Sequence, residues 1–259
     1  MIQDFHTHTS LSDGELSPME MIRRAAVAGY KTVALTDHAS TGDMQRIVPE
    51  IVQVCALARK HWDILAIPGI EITHAPAKSI AALAKEAKKL GAWIVVVHGE
   101  TPVEPVEKGT NLAALKSPHV DILAHPGFIT LAEAKLAAKN GIYLEITARK
   151  GHSLTNGHVA KMALKAGAKM IVDSDAHTDS DLLTIDFAGL VLRGAGVEGS
   201  VVWEILTANT DRLVKKLTAE KALTHKISNT KTGESAYIET TIEDPILKDK
   251  IEALKSLGH

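Results

Sequence analysis

The chain has 259 residues, which suits one barrel-sized domain of roughly 250 residues. At 45% hydrophobic and 23% charged residues with a net charge of −2, it carries no global field that would attract extended nucleic acid or an anionic membrane. Aromatic residues, at 3%, are too scarce for a base-stacking platform, and the single cysteine, Cys55, excludes a disulfide framework and fits a reducing, cytoplasmic setting.

Ile2 to His6 reads as a strand. Gln3 and Asp4 interrupt it and no cationic stretch precedes it, so no signal peptide is expected. Ser17-Pro18-Met19-Glu20 supplies an N-cap, a proline at the first helical position and a glutamate three residues after the cap; the helix then ends at Gly29. Lys31 to Thr36 is the second strand. Asp43 to Lys60 is helical in pattern, with Pro49 a candidate break or restart and Cys55 a buried helix position. Ile64 to Ile72 is a strand, Lys78 to Leu90 a helix stopped at Gly91, and Ala92 to Val97 a strand. Its apolar run is far too short to span a bilayer. A Pro-rich loop and a short helix near Asn111 to Lys116 lead to a strand at Val120 to Ala124. Thr130-Leu131-Ala132-Glu133 opens a helix with a capping box. Ile142 to Thr147 and Lys169 to Asp173 are strands, with a helix at Gly157 to Ala166 between them. Helical patterns follow at 180–194, 198–208 and 210–217. Trp93 and Trp203 read as packing residues.

Seven strands alternating with helices imply a parallel sheet with right-handed crossovers. Polar residues follow nearly every strand instead of gathering at one switch point, so an α/β fold of closed-barrel type is expected over an open sheet. Residues 1–217 form the expected barrel domain and 218–259 an extension. Within the latter, Tyr237 to Ile242 alternates like a strand and Ile246 to Leu257 reads as an amphipathic helix. This extension is a candidate surface for packing on the barrel or for homo-oligomer contacts.

The strand ends carry the chemistry. Alternate strand residues share a face, so Asp4, His6 and His8 align if the strand persists, and two imidazoles so placed can clamp one cation. Asp175 and His177 repeat the spacing on the last strand. A carboxylate such as Glu71 can bridge two cations. Imidazole with carboxylate suits zinc, manganese or iron rather than calcium. Two such cations about 3.5–4 Å apart can hold a hydroxide and polarise a phosphoryl group. Arg149-Lys150 follows the Glu145 strand at the same mouth, and a guanidinium can grip phosphate through two parallel hydrogen bonds; the bland alternative is a solvated loop pair.

The pattern His6-Thr7-His8-Thr9, Ser12-Asp13-Gly14, Thr36-Asp37-His38 and Gly69-Ile70-Glu71 resembles the start of the polymerase and histidinol phosphatase (PHP) family. His98, Ala124-His125-Pro126 and Asp173-Ser174-Asp175-Ala176-His177 match its later motifs in order. The resemblance covers about residues 1–217. It implies a distorted (β/α)7 TIM-like barrel that holds two or three divalent ions (zinc, manganese or iron) and hydrolyses phosphate esters. Carried over by position, His6, His8, Glu71 and Asp175 hold a first metal, and Glu71, His98 and His125 a second. Asp13, His38 and His177 hold a third, which an aspartate at position 13 should weaken or alter. Asp4 and Asp37 are expected behind the ligands, orienting their imidazoles. The implied nucleophile is a metal-bound hydroxide, no catalytic side chain being assigned, and the implied partner is a small phosphorylated substrate gripped by Arg149 and Lys150.

Other polar residues read blandly: Glu145 as an inward carboxylate hydrogen-bonded to a neighbour, His74 and Glu100 as similar cases, and His152 and His158 as surface histidines, with contact to substrate as the alternative for these two. Three rival functions remain open. An end-acting nuclease would use the same metals. A metal amidohydrolase also opens with His-x-His, but lacks the Asp37-His38 and Asp175-x-His177 pairs. A non-catalytic assembly subunit would usually have lost ligands that this chain keeps.

Overall fold

The computed structural model describes residues 1–231, with side chains described to residue 221. The expected strand at Tyr237 to Ile242 and helix at Ile246 to Leu257 lie outside them. The strands are β1 (Gln3–Asp4), β2 (Thr32–Leu35), β3 (His38–Ala39), β4 (Leu65–Ile72), β5 (Ile94–His98), β6 (Ile122–Ala124), β7 (Tyr143–Thr147) and β8 (Met170–Asp173). All pair in parallel in the order β1-β2-β4-β5-β6-β7-β8. The short β3 resumes the path of β2 along the second half of β4, with His38 opposite Glu71. A parallel bridge between Thr7 and Ala176 joins the first and last strand paths, and the His8 N–H donates to the Ala176 carbonyl at 2.8 Å. The result is a nearly closed, distorted TIM-like (β/α)7 barrel.

The helices cover its outside. They are α1 (Pro18–Val27), α2 (Met44–His61), α3 (Ile80–Leu90), α4 (Thr110–Lys116), α5 (Leu131–Asn140), α6 (Asn156–Ala166), α7 (Ile185–Gly194), α8 (Ser200–Trp203) and α9 (Thr210–Lys231). Ser17 caps α1 ahead of Pro18, and Thr130 with Glu133 forms a reciprocal capping box on α5, as the sequence leads one to expect. Every residue of β4 is buried, the signature of a parallel strand covered on both faces. Outward-facing strand residues pack on the helices in one cluster. Inward-facing Phe5, Ala34, Leu65, Ile67, Val96 and Ile171 fill the barrel in another, which Leu213, Val214 and Leu217 of α9 plug from below. The start of α9 is pinned there: the Gln3 amide donates to the Thr210 hydroxyl at 2.9 Å, and Lys216 pairs with buried Asp121 at 2.8 Å. With the amino-terminal end of the barrel closed, the carboxyl-end mouth is left for chemistry.

The structure differs from expectation in four places. The last helix, expected over 210–217, continues to Lys231 as α9. Regular β1 stops at Asp4 rather than His6, because side-chain carboxylates take the next backbone donors: Asp173 accepts the Phe5 N–H at 2.8 Å and Asp4 the His6 N–H at 3.3 Å. Helix α2 runs unbroken through Pro49. The carbonyl left without its helical donor is that of Gln45, an exposed residue in the first turn where water can serve it. Trp203 is 63% exposed, since α8 turns Val202 inward instead; Trp93 does pack, under the Arg59 guanidinium. Among the described residues no helix is long and apolar enough to cross a membrane.

Cys55 is buried in α2, and burial pushes its thiol up to about 12. Iodoacetamide is therefore expected to leave the native protein unlabelled over a period in which the urea-unfolded chain is fully alkylated, as read by mass spectrometry. Fast labelling of the folded protein would contradict this packing.

Candidate metal centre

The strand ends bring the predicted residues together around one carboxylate. Glu71, near the end of β4, directs Oε2 towards His6 Nε2 (3.5 Å), His8 Nε2 (3.7 Å) and His38 Nδ1 (2.7 Å). Its Oε1 faces His98 Nδ1 at 3.4 Å and His125 Nε2 at 3.6 Å. Asp175, just past β8, faces His8 Nε2 at 3.1 Å and His6 Nε2 at 3.8 Å. Asp13 reaches His38 Nε2 at 3.5 Å and His177 Nε2 at 3.2 Å. Donor atoms close enough to share a cation group as His6, His8 and Asp175; as His6, Glu71 and His125; and as His8, Asp13, His38 and His177. His98 meets Glu71 pairwise, and groups with His74 and Glu104.

Local backbone features hold this arrangement. His125 and Asp175 adopt left-handed backbone conformations (φ 26° and 53°), unusual for residues with a side chain and a sign that the surroundings fix them. Gly14 lies against the His8 main chain, where a Cβ would sit 2.6 Å from the carbonyl carbon, so only glycine lets the loop carrying Asp13 close over His8.

Three of the rings are anchored from behind. Glu145 Oε1 holds His6 Nδ1 at 2.6 Å, and its other oxygen accepts the His125 N–H at 2.8 Å. This is the hydrogen-bonded inward carboxylate expected at that position. Thr73 Oγ1 holds His38 Nδ1 at 2.6 Å, and the Asp175 carbonyl holds His177 Nδ1 at 2.9 Å. Asp4 and Asp37 do not orient imidazoles. Asp4 accepts the backbone N–H groups of His6 and Ser174, while Asp37 accepts the Thr9 N–H at 2.7 Å and the hydroxyls of Thr9 and Ser12. Both shape the chain that carries the ligands, because the main chain lies nearer to them than any ring does.

The electrostatics of the cluster suit cations. His6 Nε2, both ring nitrogens of His8, Glu71 Oε1, His98 Nδ1 and His125 Nδ1 are buried without a hydrogen-bond partner among the described residues. Buried polar atoms are nearly always satisfied, so a set of them facing one another fits bound cations. Burial, with His38 beside it, lowers His8 to about 3, and burial with neighbouring His98 takes His125 well below the histidine range. Both rings are then neutral, the form that donates to metals. Burial opposes charge on His6 and His38 as well, but Asp175, Glu145 and Glu71 lift His6 well above its usual value, and Glu71 and Asp13 lift His38 to about 9. Burial alone would raise Glu71; His6 and His38 instead drive it well below the carboxylate range. The mix of imidazole nitrogen and carboxylate oxygen suits divalent cations.

Of the expected phosphate-gripping pair, Arg149 is half-buried at the mouth. Its Nη1 lies 3.4 Å from Asp181, which also accepts the His177 N–H at 3.0 Å. Lys150 is exposed, and among the described residues no contact joins it to the cluster. His158 donates to the Ile129 carbonyl at 2.7 Å, and Glu100 accepts the N–H groups of Gly109 and Asn111 at the start of α4, both structural roles. His74 is exposed and pairs with Glu104 at 3.2 Å. The surface reading of His152 is wrong: it is 8% exposed and stacks on His125 with ring centroids 4.2 Å apart. Nothing in the pattern of the Pro-rich loop flags Glu104, and His152 follows a glycine turn that gives no cue to the direction of the ring.

A nearly closed parallel barrel with histidines and carboxylates gathered at its carboxyl-end mouth defines a metal-binding barrel of TIM-like type. The PHP domain family model matches residues 4–121. An uncharacterised protein of Methanocaldococcus jannaschii is 46% identical over 215 residues, spanning 83% of this chain and 99% of that protein. A probable phosphatase of a Thermoanaerobacter species is 29% identical over 228 residues, spanning 82% and 91% of the two chains. Among solved structures, a chain of an archaeal ribonuclease P complex with mature tRNA superposes with a TM-score of 0.58 at 16% identity, covering 81% of this chain and 90% of that one. The histidinol phosphate phosphatase of Lactococcus lactis, complexed with zinc, L-histidinol and phosphate, gives a TM-score of 0.53 at 17% identity over 76% and 94% of the chains. The chain belongs to the PHP domain family.

Two outcomes are expected of this geometry. With His6 raised and His38 raised to about 9, a cation binding near pH 7 must displace protons, so affinity should climb between pH 7 and 9 with measurable proton release by calorimetry. A flat profile would contradict it. Glu145→Gln should weaken cation binding by about 10–100-fold through loss of the acceptor behind His6, while the native circular dichroism spectrum is retained. Unaltered affinity would show that this anchor is dispensable.

Proposed function

We propose that the protein is a metal-dependent phosphoesterase that hydrolyses a small phosphomonoester. The observation that carries this reading is the convergence of the buried, unpartnered ring nitrogens of His6, His8 and His98 on Glu71 and Asp175 at the open end of the barrel. In this reading His6, His8, Glu71 and Asp175 hold one ion, and Glu71, His98 and His125 a second. Asp13, His38 and His177 hold a third at the more exposed edge, where the Asp13 side chain is 56% accessible. Bound there, divalent cations supply an activated water at neutral pH and offset charge on the phosphoryl oxygens.

The chain's own residues do the rest. Glu145, Thr73 and the Asp175 carbonyl fix ring orientations in advance, so little reorganisation is needed when charge develops. Arg149 stands at the rim with its guanidinium loosely held by Asp181, placed to exchange that 3.4 Å contact for a phosphate oxygen. Lys150, exposed beside it, adds positive potential rather than a directed contact. Support for a phosphate ester as substrate comes from the probable phosphatase among the relatives and from the phosphate and L-histidinol bound by the Lactococcus protein. A small substrate agrees with the near-neutral charge and scarce aromatics, which offer no track for a long polynucleotide.

The test is turnover of a panel of phosphomonoesters, phosphodiesters and short oligonucleotides with manganese, zinc or iron added. Monoester hydrolysis that chelation abolishes is the expected result; activity confined to oligonucleotide ends would replace this reading with the nuclease one. In the same assay His8→Ala combined with Asp175→Ala should lose both bound metal and turnover while staying folded, and wild-type turnover in that variant would contradict the assignment. Arg149→Ala should raise the Michaelis constant about tenfold or more, the scale of a charged hydrogen bond. An unchanged Michaelis constant and turnover would remove Arg149 from the site.

A further inference from the structure

We propose that His152 is an additional metal ligand, joining His125 on the second cation at a point that Asp175 also reaches. The proposal rests on the metal-centre reading above and adds a donor that no motif of the family resemblance supplies. His152 sits in a short 3-10 turn, His152–Thr155, on the loop after β7, and three observations single it out.

The first is position. A ring nitrogen of His152, a ring nitrogen of His125 and a carboxylate oxygen of Asp175 all lie within 4.8 Å of one another, the span available to donors around a single transition-metal ion. The His125–His152 pair repeats the geometry of His8 and His177, stacked at 4.3 Å within the cluster of Asp13 and His38.

The second is anchoring. His152 Nδ1 lies 3.0 Å from the Thr101 hydroxyl. His6 on Glu145, His38 on Thr73 and His177 on the Asp175 carbonyl are held in the same manner, one ring nitrogen fixed by an oxygen. A carboxylate or carbonyl oxygen, or a threonine hydroxyl accepting from the ring N–H, leaves the other nitrogen's lone pair free. For His152 that nitrogen is Nε2, and its protein neighbour, Glu104 Oε2, stands 3.6 Å away, beyond hydrogen-bond reach.

The third is the turn that delivers it. Gly151 has φ 91°, a conformation that a residue with a side chain rarely adopts, and the chain there swings from Lys150 at the surface to a buried His152. A histidine serving only to fill space would need neither the hydroxyl anchor nor a place beside two metal-facing donors. With His152 bound, the loop that carries Arg149 would be tied to the metal, so that cation loading and placement of the phosphate-gripping side chain are linked.

The experiment loads the full chain with zinc(II) and with cobalt(II), using wild type, His152→Ala and His152→Cys, with circular dichroism to confirm folding. His152→Ala should weaken one class of zinc site by at least about tenfold, the scale of losing a group that supports a metal. The Cys variant is the direct probe. Its thiolate should give a sulfur-to-cobalt charge-transfer band in the near ultraviolet. Wild type cannot give that band, because its one cysteine, Cys55, is buried in α2. A folded, cobalt-loaded His152→Cys without the band overturns the proposal, whatever the alanine variant does, and so does unchanged zinc affinity in His152→Ala. If wild type takes up neither cation, this proposal and the metal-centre reading fall together. If the band appears but no phosphate ester is hydrolysed, the ligand assignment stands and the proposed function falls.

Discussion

The structure turns on a buried carboxylate ringed by imidazoles. Glu71 has no exposed surface, and its two oxygens face His6, His8, His38, His98 and His125. Removing a charge from water costs several kcal/mol unless it is compensated in place. Protons on His6 and His38 compensate in part, while His8 and His125, both held neutral and each with a buried ring nitrogen that lacks a hydrogen-bond partner among the described residues, leave the cluster short of positive charge. Divalent cations answer both needs at once, balancing the carboxylates and using the free lone pairs.

The barrel exists to hold that concentration of polar atoms in one place. Parallel strands put all their carboxyl ends on one side, and α9 seals the other with Leu213, Val214 and Leu217. Around the mouth the ordinary ladder gives way: Asp4 and Asp173 take backbone donors near β1, and left-handed His125 and Asp175 bend their chains so that the side chains point inward. Strain and irregular pairing collect where ligands are positioned, while the buried, regular strands below supply the rigidity that maintains them. The same fold accommodates a phosphatase and a chain of a ribonuclease P complex, so function has to be argued from these side chains and not from the barrel.

Much of this was legible in the sequence. Histidines and carboxylates fall at or within a few residues of most strand ends, so that His6, His8, Glu71, His98, His125, Asp175 and His177 share one end of the barrel could be read from their order. Caps such as Ser17 and Thr130 are local chemistry and were readable for that reason. Other features depend on three dimensions. Pro49 looks like a helix breaker until the exposed turn before it is seen to absorb the lost bond. Asp4 and Asp37 stand beside ligands in sequence, yet their oxygens reach main chain, because hydrogen-bond direction follows the local path and not the spacing. His152 and Glu104 lie in loops without periodicity, and only the fold shows that His152 stacks on His125 and that Glu104 approaches His152.

The central claim, that Glu71 and its surrounding imidazoles form a cation-binding centre, is tested most directly by anomalous X-ray diffraction from crystals grown with zinc or manganese. Anomalous peaks are expected within bonding distance of the Glu71 carboxylate, shared with ring nitrogens of His6 and His125. A map from metal-saturated crystals with no peak at the mouth, and Glu71 contacted by protein atoms alone, would contradict it.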